Sequence, residues 1–163
     1  MRDIVNPRQV VLVTVHGKAD IMGKEVVKDN IITLTWHCPL SFDPELYGIC
    51  IGKNRFSYQL IKESKVFCVN FVPYSMKEAA IQCGTSSGAN VDKFEKYGLT
   101  KEGCEVIDCC AIKEALATLA CEVVDEFETG DHVFFVGKVV RKMKREDDKR
   151  LFHIGGSGFT SNT

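Results

Sequence analysis

An excess of charge of either sign is missing from this chain. Its 21 Lys and Arg stand against 22 Asp and Glu, a net of -1, which excludes the basic footprint of a nucleic-acid binder and the acidic tail of a solvating segment. Long apolar runs are missing too. No stretch approaches the roughly 20 residues needed to span a bilayer. The first apolar run, Val10 to Val15, is short and β-branched and lacks the small-residue cleavage site of a secretion signal. The expectation is a cytoplasmic protein with no nucleic-acid partner and no membrane partner. Internal repeats, low-complexity stretches and linkers are absent, and 163 residues suit a single domain, 1–163, with one core. Cys-x-x-Cys pairs are lacking, and Cys104, Cys109 and Cys110 have no His at finger-like spacing, so no structural metal is expected. Without a secretion signal the eight cysteines do not read as a disulfide framework. Cys50, Cys68 and Cys121 lie in apolar strand-like runs, where a free thiol acts as a small buried hydrophobe.

What is present is a series of short segments rich in Val, Ile, Phe and Thr, which favours strands over helices. They are Val10 to Val15, Ile31 to Trp36, Tyr47 to Ile51, Lys65 to Val72, Thr118 to Glu128, His132 to Met143 and Leu151 to Ile154. Seven strands predict a mainly β domain, an antiparallel barrel whose closure removes exposed edges. Alternation places Ile32, Leu34 and Trp36 on a core face and Thr33 and Thr35 on a polar one. Thr129, Gly130 and Asp131 supply the turn of a hairpin between the two longest strands. Three short helices are expected: Ser57 to Glu63 capped by Asn54 or Ser57, Ser75 to Gln82 opened by a capping box of Ser75 and Glu78, and Asp92 to Tyr97. The charged run Lys138 to Arg150 reads as a solvated hairpin.

Two polar segments suit an anion. In Gly52, Lys53, Asn54, Arg55, Phe56, Ser57 a strand gives way to a helix start whose free N–H groups, with a nearby Arg, can hold phosphate. A capped surface helix with loose cations explains the same residues. In Thr85, Ser86, Ser87, Gly88, Ala89, Asn90, hydroxyls and amides can fold around a phosphate with Lys93 adding charge, and an ordinary solvent loop is the alternative. Neither segment is a P-loop or a dinucleotide fingerprint. No nucleophile stands beside a base. Of the four His residues (His16, His37, His132 and His153), His132 is the most suggestive, because it follows a turn at a strand head, where barrel rims border sites. Trp36 is either core or a stacking surface for a flat ligand.

Taken in order, Pro7-Arg8, Asn30-Ile-Ile-Thr33-Leu-Thr35-Trp36, Asn54-Arg55-Phe56-Ser57-Tyr58, Phe67-Cys68-Val69-Asn70, Ser87-Gly88 ahead of Asp92-Lys93-Phe94, Cys121-Glu122-Val123 and Gly130-Asp131-His132 with Phe135-Val136-Gly137 resemble the flavin reductase-like family of FMN-binding split barrels, which includes flavoredoxin and an archaeal ferric reductase. The resemblance runs from Pro7 to about Gly156. It implies an antiparallel split β-barrel with a few short helices, a homodimer, and non-covalent FMN near the subunit interface. It also implies that Thr33, Leu34, Thr35 and Trp36 line the isoalloxazine ring and ribityl chain, with Cys50, Ile51, Gly52 and Asn70 nearby. Lys53, Asn54, Arg55, Ser57 and Tyr58 would approach the phosphate or ribityl from the helix start, and Ser86, Ser87, Gly88 and Lys93 from the loop. His132 would meet a nicotinamide or an acceptor, while His153, Gly155 and Gly156 close the pocket. The implied function is an NAD(P)H-dependent flavin or ferric reductase, with a protein-fed, flavoredoxin-like electron carrier as the alternative.

Overall fold

The structure is a computed structural model that describes residues 4–162. Its strands in chain order are β1 (Arg8–Gln9), β2 (Val11–Ile21), β3 (Lys24–Leu34), β4 (His37–Phe42), β5 (Glu45–Gly52), β6 (Val66–Phe71), β7 (Lys101–Glu102), β8 (Ala111–Ile112), β9 (Ala117–Thr129), β10 (His132–Lys144), β11 (Leu151–Gly155) and β12 (Gly158–Ser161). The helices are α1 (Phe56–Ser64), α2 (Lys77–Thr85), entered through a 3-10 turn at Tyr74–Met76, and α3 (Lys93–Tyr97). No helix among the described residues is long and apolar enough to cross a membrane.

Seven strands form one antiparallel sheet in the order β3-β2-β6-β9-β10-β5-β4. The expected closure does not occur: no ladder joins the edge strands β3 and β4. The chain instead passes from β3 through Thr35 and Trp36 to the opposite edge, where the Trp36 carbonyl accepts from Cys50 N–H at 2.9 Å. The barrel is therefore split beside Trp36, and an edge left open in this way can border a ligand instead of a partner strand.

Both faces of the sheet are covered, because successive strand residues point to opposite sides. In β2, Val11, Val13 and Val15 enter one core with Leu60, Ile61, Phe67 and Phe135. Val10 and Leu12 enter a second core with Ile31, Ala80, Phe94 and Leu151. The threonine face of β3 is accordingly not the solvated one that alternation predicts. It lies under α2, and Thr33 Oγ1 donates to the Ala80 carbonyl at 2.6 Å. Helix α1 sits so close to β2 that a Cβ on Gly17 would come within 2.8 Å of the Leu60 carbonyl.

The β9–β10 hairpin turns at Gly130, whose φ of 67° falls in the left-handed region that glycine tolerates. The β2–β3 hairpin is longer than its apolar segments suggest, because Lys18, Asp20, Lys24 and Glu25 extend both strands past the core with polar side chains. Helix starts differ from expectation. Arg55 and Met76 are the N-caps of α1 and α2, neither with a side-chain cap bond. Ser57 lies inside the first turn of α1 and is engaged by Asn30, and Ser75 falls in the preceding 3-10 turn. Among the described residues only α3 has a side-chain cap, Asp92 accepting from the N–H groups of Phe94 and Glu95 at 2.9 and 3.2 Å.

Candidate functional site

A cleft of about 950 Å³ opens at the split. One wall is the end of β3 and the link that follows it, another the end of β5 with the start of α1, and a third the loop between α2 and α3. Of the expected residues, Thr33, Leu34, Thr35, Trp36, Cys50, Gly52, Asn54, Arg55, Ser57, Ser86, Ser87, Gly88, Lys93 and His132 line it, as do His153, Gly155 and Gly156.

One end of the cleft is polar and cationic. Asn30 is buried and its Nδ2 donates to Ser57 Oγ at 2.8 Å, while its Oδ1 has no hydrogen-bond partner. Because Ser57 Oγ accepts that bond, its own O–H remains to be given to something else. Lys93 is buried on the first turn of α3, and its Nζ donates to the carbonyls of Ile31 and Cys83, both at 2.6 Å. It thereby ties β3 to α2 with two of its three protons. Burial lowers its pKa to about 8, with the Arg55 charge pushing the same way. Among the described residues neither Arg55 nor Lys93 has a carboxylate within ion-pair distance. Two cations close enough to repel each other, with no fixed counter-charge, suit an anion. Gly88 is held against this group. A Cβ there would fall 2.0 Å from Asn30 Oδ1, and its carbonyl accepts from Lys28 Nζ at 2.7 Å.

The loop hydroxyls are not equivalent. Thr85 Oγ1 and Ser86 Oγ donate back to carbonyls of α2, at 3.0 Å to Ile81 and 2.8 Å to Gln82. Ser87 Oγ accepts from Ala89 N–H at 3.3 Å and keeps its proton. Ser86 thus reaches the cleft through its backbone, and Ser87 is the hydroxyl donor of this loop.

The other end is flat and aromatic. Trp36 and His132 have ring centroids 4.8 Å apart, and the Arg8 guanidinium lies 5.9 Å from the Trp36 ring centre. His132 Nδ1 meets Asp131 Oδ1 at 2.6 Å, so the fully partnered nitrogen faces the turn. Gly52 leaves room beside the imidazole: a Cβ there would stand 3.6 Å from His132 Nε2 and 3.1 Å from Asn54 Oδ1. Cys50 is half-buried on this wall, and burial pushes its thiol pKa up, away from a reactive thiolate. His153 donates to the Gly156 carbonyl through Nε2–H at 3.0 Å, and its buried Nδ1 has no partner.

Four expected residues stand outside the cleft. Ile51 is fully buried in the first core. Tyr58 packs against Phe135 there, ring centroids 6.2 Å apart. Lys53 points outward to Glu128 at 2.9 Å. Asn70 is fully buried in β6, where Nδ2 donates to the Leu12 carbonyl at 2.9 Å and Oδ1 accepts from Ile112 N–H at 2.8 Å, pinning β8 to the sheet. Strand alternation turns Ile51 away from its lining neighbours Cys50 and Gly52, whereas Lys53 lies in the turn after β5, Tyr58 on α1 with its ring against Phe135, and Asn70 is held by its own strand and β8 partners. Phe56 and Thr85, members of the two anion-suited segments, also line the cleft, as do Asn6, Arg8, Asn30, Ile32, Cys83 and Gly84, to which the sequence assigns no site role. Arg8 and Asn30 fall in the matched motifs, and that membership is the signal that could have found them.

The chain matches the flavin reductase like domain family over residues 1–160. An uncharacterized protein of Archaeoglobus fulgidus is 42% identical over 115 residues, which cover 71% of this chain and 65% of that protein. A second uncharacterized protein, from Pyrococcus abyssi, is 34% identical over 72% of this chain and 67% of its own length. This chain therefore spans about two thirds of these relatives. The NADH-dependent FAD reductase of Streptomyces globisporus is 25% identical over 92% of this chain and 77% of its own length. Among solved structures, an FMN-binding protein of Thermus thermophilus with bound 1-cyclohex-2-enone superposes with a TM-score of 0.82 at 23% identity, covering 98% of this chain and 88% of that one. The flavoredoxin of Methanosarcina acetivorans does so with 0.80 at 24% identity, covering 98% and 87%. By the family match across nearly its whole length and the split antiparallel sheet it shares with these structures, this chain belongs to the flavin reductase-like family.

Proposed function

We propose that the cleft holds FMN non-covalently and that the protein is an NAD(P)H-dependent reductase delivering electrons to free flavin or a ferric complex. The observation that carries this reading is the pairing of a cationic end, Arg55 with buried Lys93, with a flat aromatic end at Trp36 in one cleft. The residues present fit the cofactor chemically. Arg55, Lys93, Ser57 and Ser87 offer donors to a phosphate, and the unpaired Asn30 Oδ1 offers an acceptor to a ribityl hydroxyl. Asn54, the Ser86 and Gly88 backbone and Gly52 complete the polar lining, while Leu34, Thr35, Trp36 and Cys50 face the ring. Thr33 spends its hydroxyl on α2 and contributes backbone.

When bound, FMN supplies the hydride-accepting and electron-releasing chemistry. The chain's task is to bind and orient it. Asp131 fixes the His132 ring through Nδ1, leaving Nε2 toward the cleft to hold a nicotinamide amide or an acceptor. Trp36 and Arg8 shield that end from water. Leu40 and the fully exposed Phe42 on edge strand β4 suit burial against a second copy of the chain, which supports a homodimer, measurable by sedimentation.

The test is an anaerobic visible spectrum of the FMN-reconstituted protein before and after addition of NADH or NADPH. Bleaching by either is expected, and His132→Ala should slow it without releasing flavin. A flavin band that persists under both nicotinamides overturns the reductase reading, and failure to take up FMN overturns the cofactor reading.

A further inference from the structure

Away from the cleft lining, on the sheet face that Leu12 and Thr14 share, three cysteines converge. Cys68 is in β6, buried, and pairs across the ladder with Thr14 on one side and Ala120 on the other. Cys109 is buried as well and packs with Cys68 and Ala120 in a small third core, against which Cys104 also lies. Cys109 Sγ sits 3.3 Å from the Thr14 carbonyl and 3.9 Å from Thr14 Oγ1, so its proton is engaged beside the residue that faces Cys68. Cys104 differs from both. It is only half-buried, belongs to the irregular segment between β7 and β8, and shares with Cys68 the lining of a cavity of about 10 Å³. Cys68 and Cys109 pack in one cluster with Cys104 against it, and hydrogen bonding with these neighbours lowers the Cys68 pKa.

We propose that Cys104 and Cys68 are a redox-active dithiol that closes to an intramolecular disulfide in exchange with small-molecule disulfides. A thiolate attacks a disulfide sulfur and expels a thiolate, so an attacking group must reach solvent and a resolving group must lie beside it. Cys104 meets the first condition and Cys68 the second. Cys104, losing its proton to solvent, attacks the external disulfide, forms a mixed disulfide and releases the first small thiolate, which takes up a proton. Cys68, losing its proton as it does so, then attacks Cys104 Sγ and releases the second, which takes up a proton. Two protein thiols lose two electrons and two protons, and one external disulfide becomes two thiols. Cys109 stays reduced, its proton on Thr14. The product ties the 103–110 segment covalently to the inner strand β6, against which its cysteines otherwise only pack.

The experiment equilibrates the full, reduced protein with oxidised glutathione, blocks remaining thiols by alkylation and maps peptides by mass. The expected result is a species lighter by about 2 Da than the reduced protein, with Cys68 and Cys104 peptides joined, restored to eight alkylatable cysteines by a dithiol reductant. Cys104→Ser should abolish the 2 Da loss, and Cys109→Ser should leave it intact. The proposal is overturned if Cys68 and Cys104 remain fully alkylatable, if Cys104 stops at the glutathione adduct, or if the new bond includes Cys109.

Discussion

Burying Lys93 has a cost that pH can reveal. Its ammonium sits in a fold that lowers its pKa from 10.5 to about 8, which at 1.36 kcal/mol per pH unit is about 3 kcal/mol. Below pH 8 the folded and unfolded chains both carry the proton, and the folded state bears the whole cost. Between pH 8 and 10.5 the unfolded chain binds the proton and the folded chain increasingly does not, so stability must rise with pH across that window. Lys93→Met removes this contribution along with the two bonds to the Ile31 and Cys83 carbonyls. Urea unfolding of the flavin-free wild type and variant, under reductant, from pH 7 to 10.5 gives the difference directly and cancels the buried cysteines that also titrate there. The wild type should gain about 3 kcal/mol on the variant over the window. A difference that is flat to about 0.5 kcal/mol would refute the burial argument. A bound phosphate beside Lys93 would hold its proton, so saturating FMN should shrink the rise and riboflavin should not.

Other substitutions test the placements directly. Asn70→Ala leaves Ile112 N–H without an acceptor in a fully buried site and should lose about 2 to 4 kcal/mol, a drop of roughly 5 to 15 °C in melting temperature, while folded protein keeps its FMN affinity. Gly137→Ala would put a Cβ 2.4 Å from Phe67 Cζ and 2.8 Å from Cys121 Cβ, costing about 1 to 3 kcal/mol in a thermal melt. Arg55→Ala should weaken FMN binding about tenfold or more by fluorescence titration. Lys53→Ala should change neither affinity nor stability by more than about 1 kcal/mol, because its partner Glu128 is largely exposed.

The strand cores were legible because Val, Ile and Phe recur wherever both faces of the sheet are covered. The polar arm of β2 and β3 was not, since Lys24–Asn30 continues a ladder without burying apolar residues. Likewise, no local pattern distinguishes Thr33, whose hydroxyl binds a helix, from a threonine facing solvent, as only the chain's return as α2 decides it. The two anion-suited segments do meet in one cleft. Which members of each segment turn inward, Arg55 rather than Lys53 and Ser87 rather than Ser86, depends on which partner each finds, distant Glu128 for Lys53 and the preceding helix's Gln82 carbonyl for Ser86. Asn70 sits in a matching motif because it fastens β8 to the sheet, and a buried fastener and a ligand contact look alike in one dimension.

The pairing of β1 with β11, Arg8 opposite His153, bears on the order of events during folding. Arg8 and His153 are far apart in sequence, so Arg8 is fixed over Trp36 only after a long loop has closed. A contact of such sequence separation forms late and slows folding. A pocket with walls drawn from Asn6 to Gly156 is complete only once that distant contact has formed, so ligand capture must follow it, and the folding protein passes through an open state in which its unpaired edge is exposed.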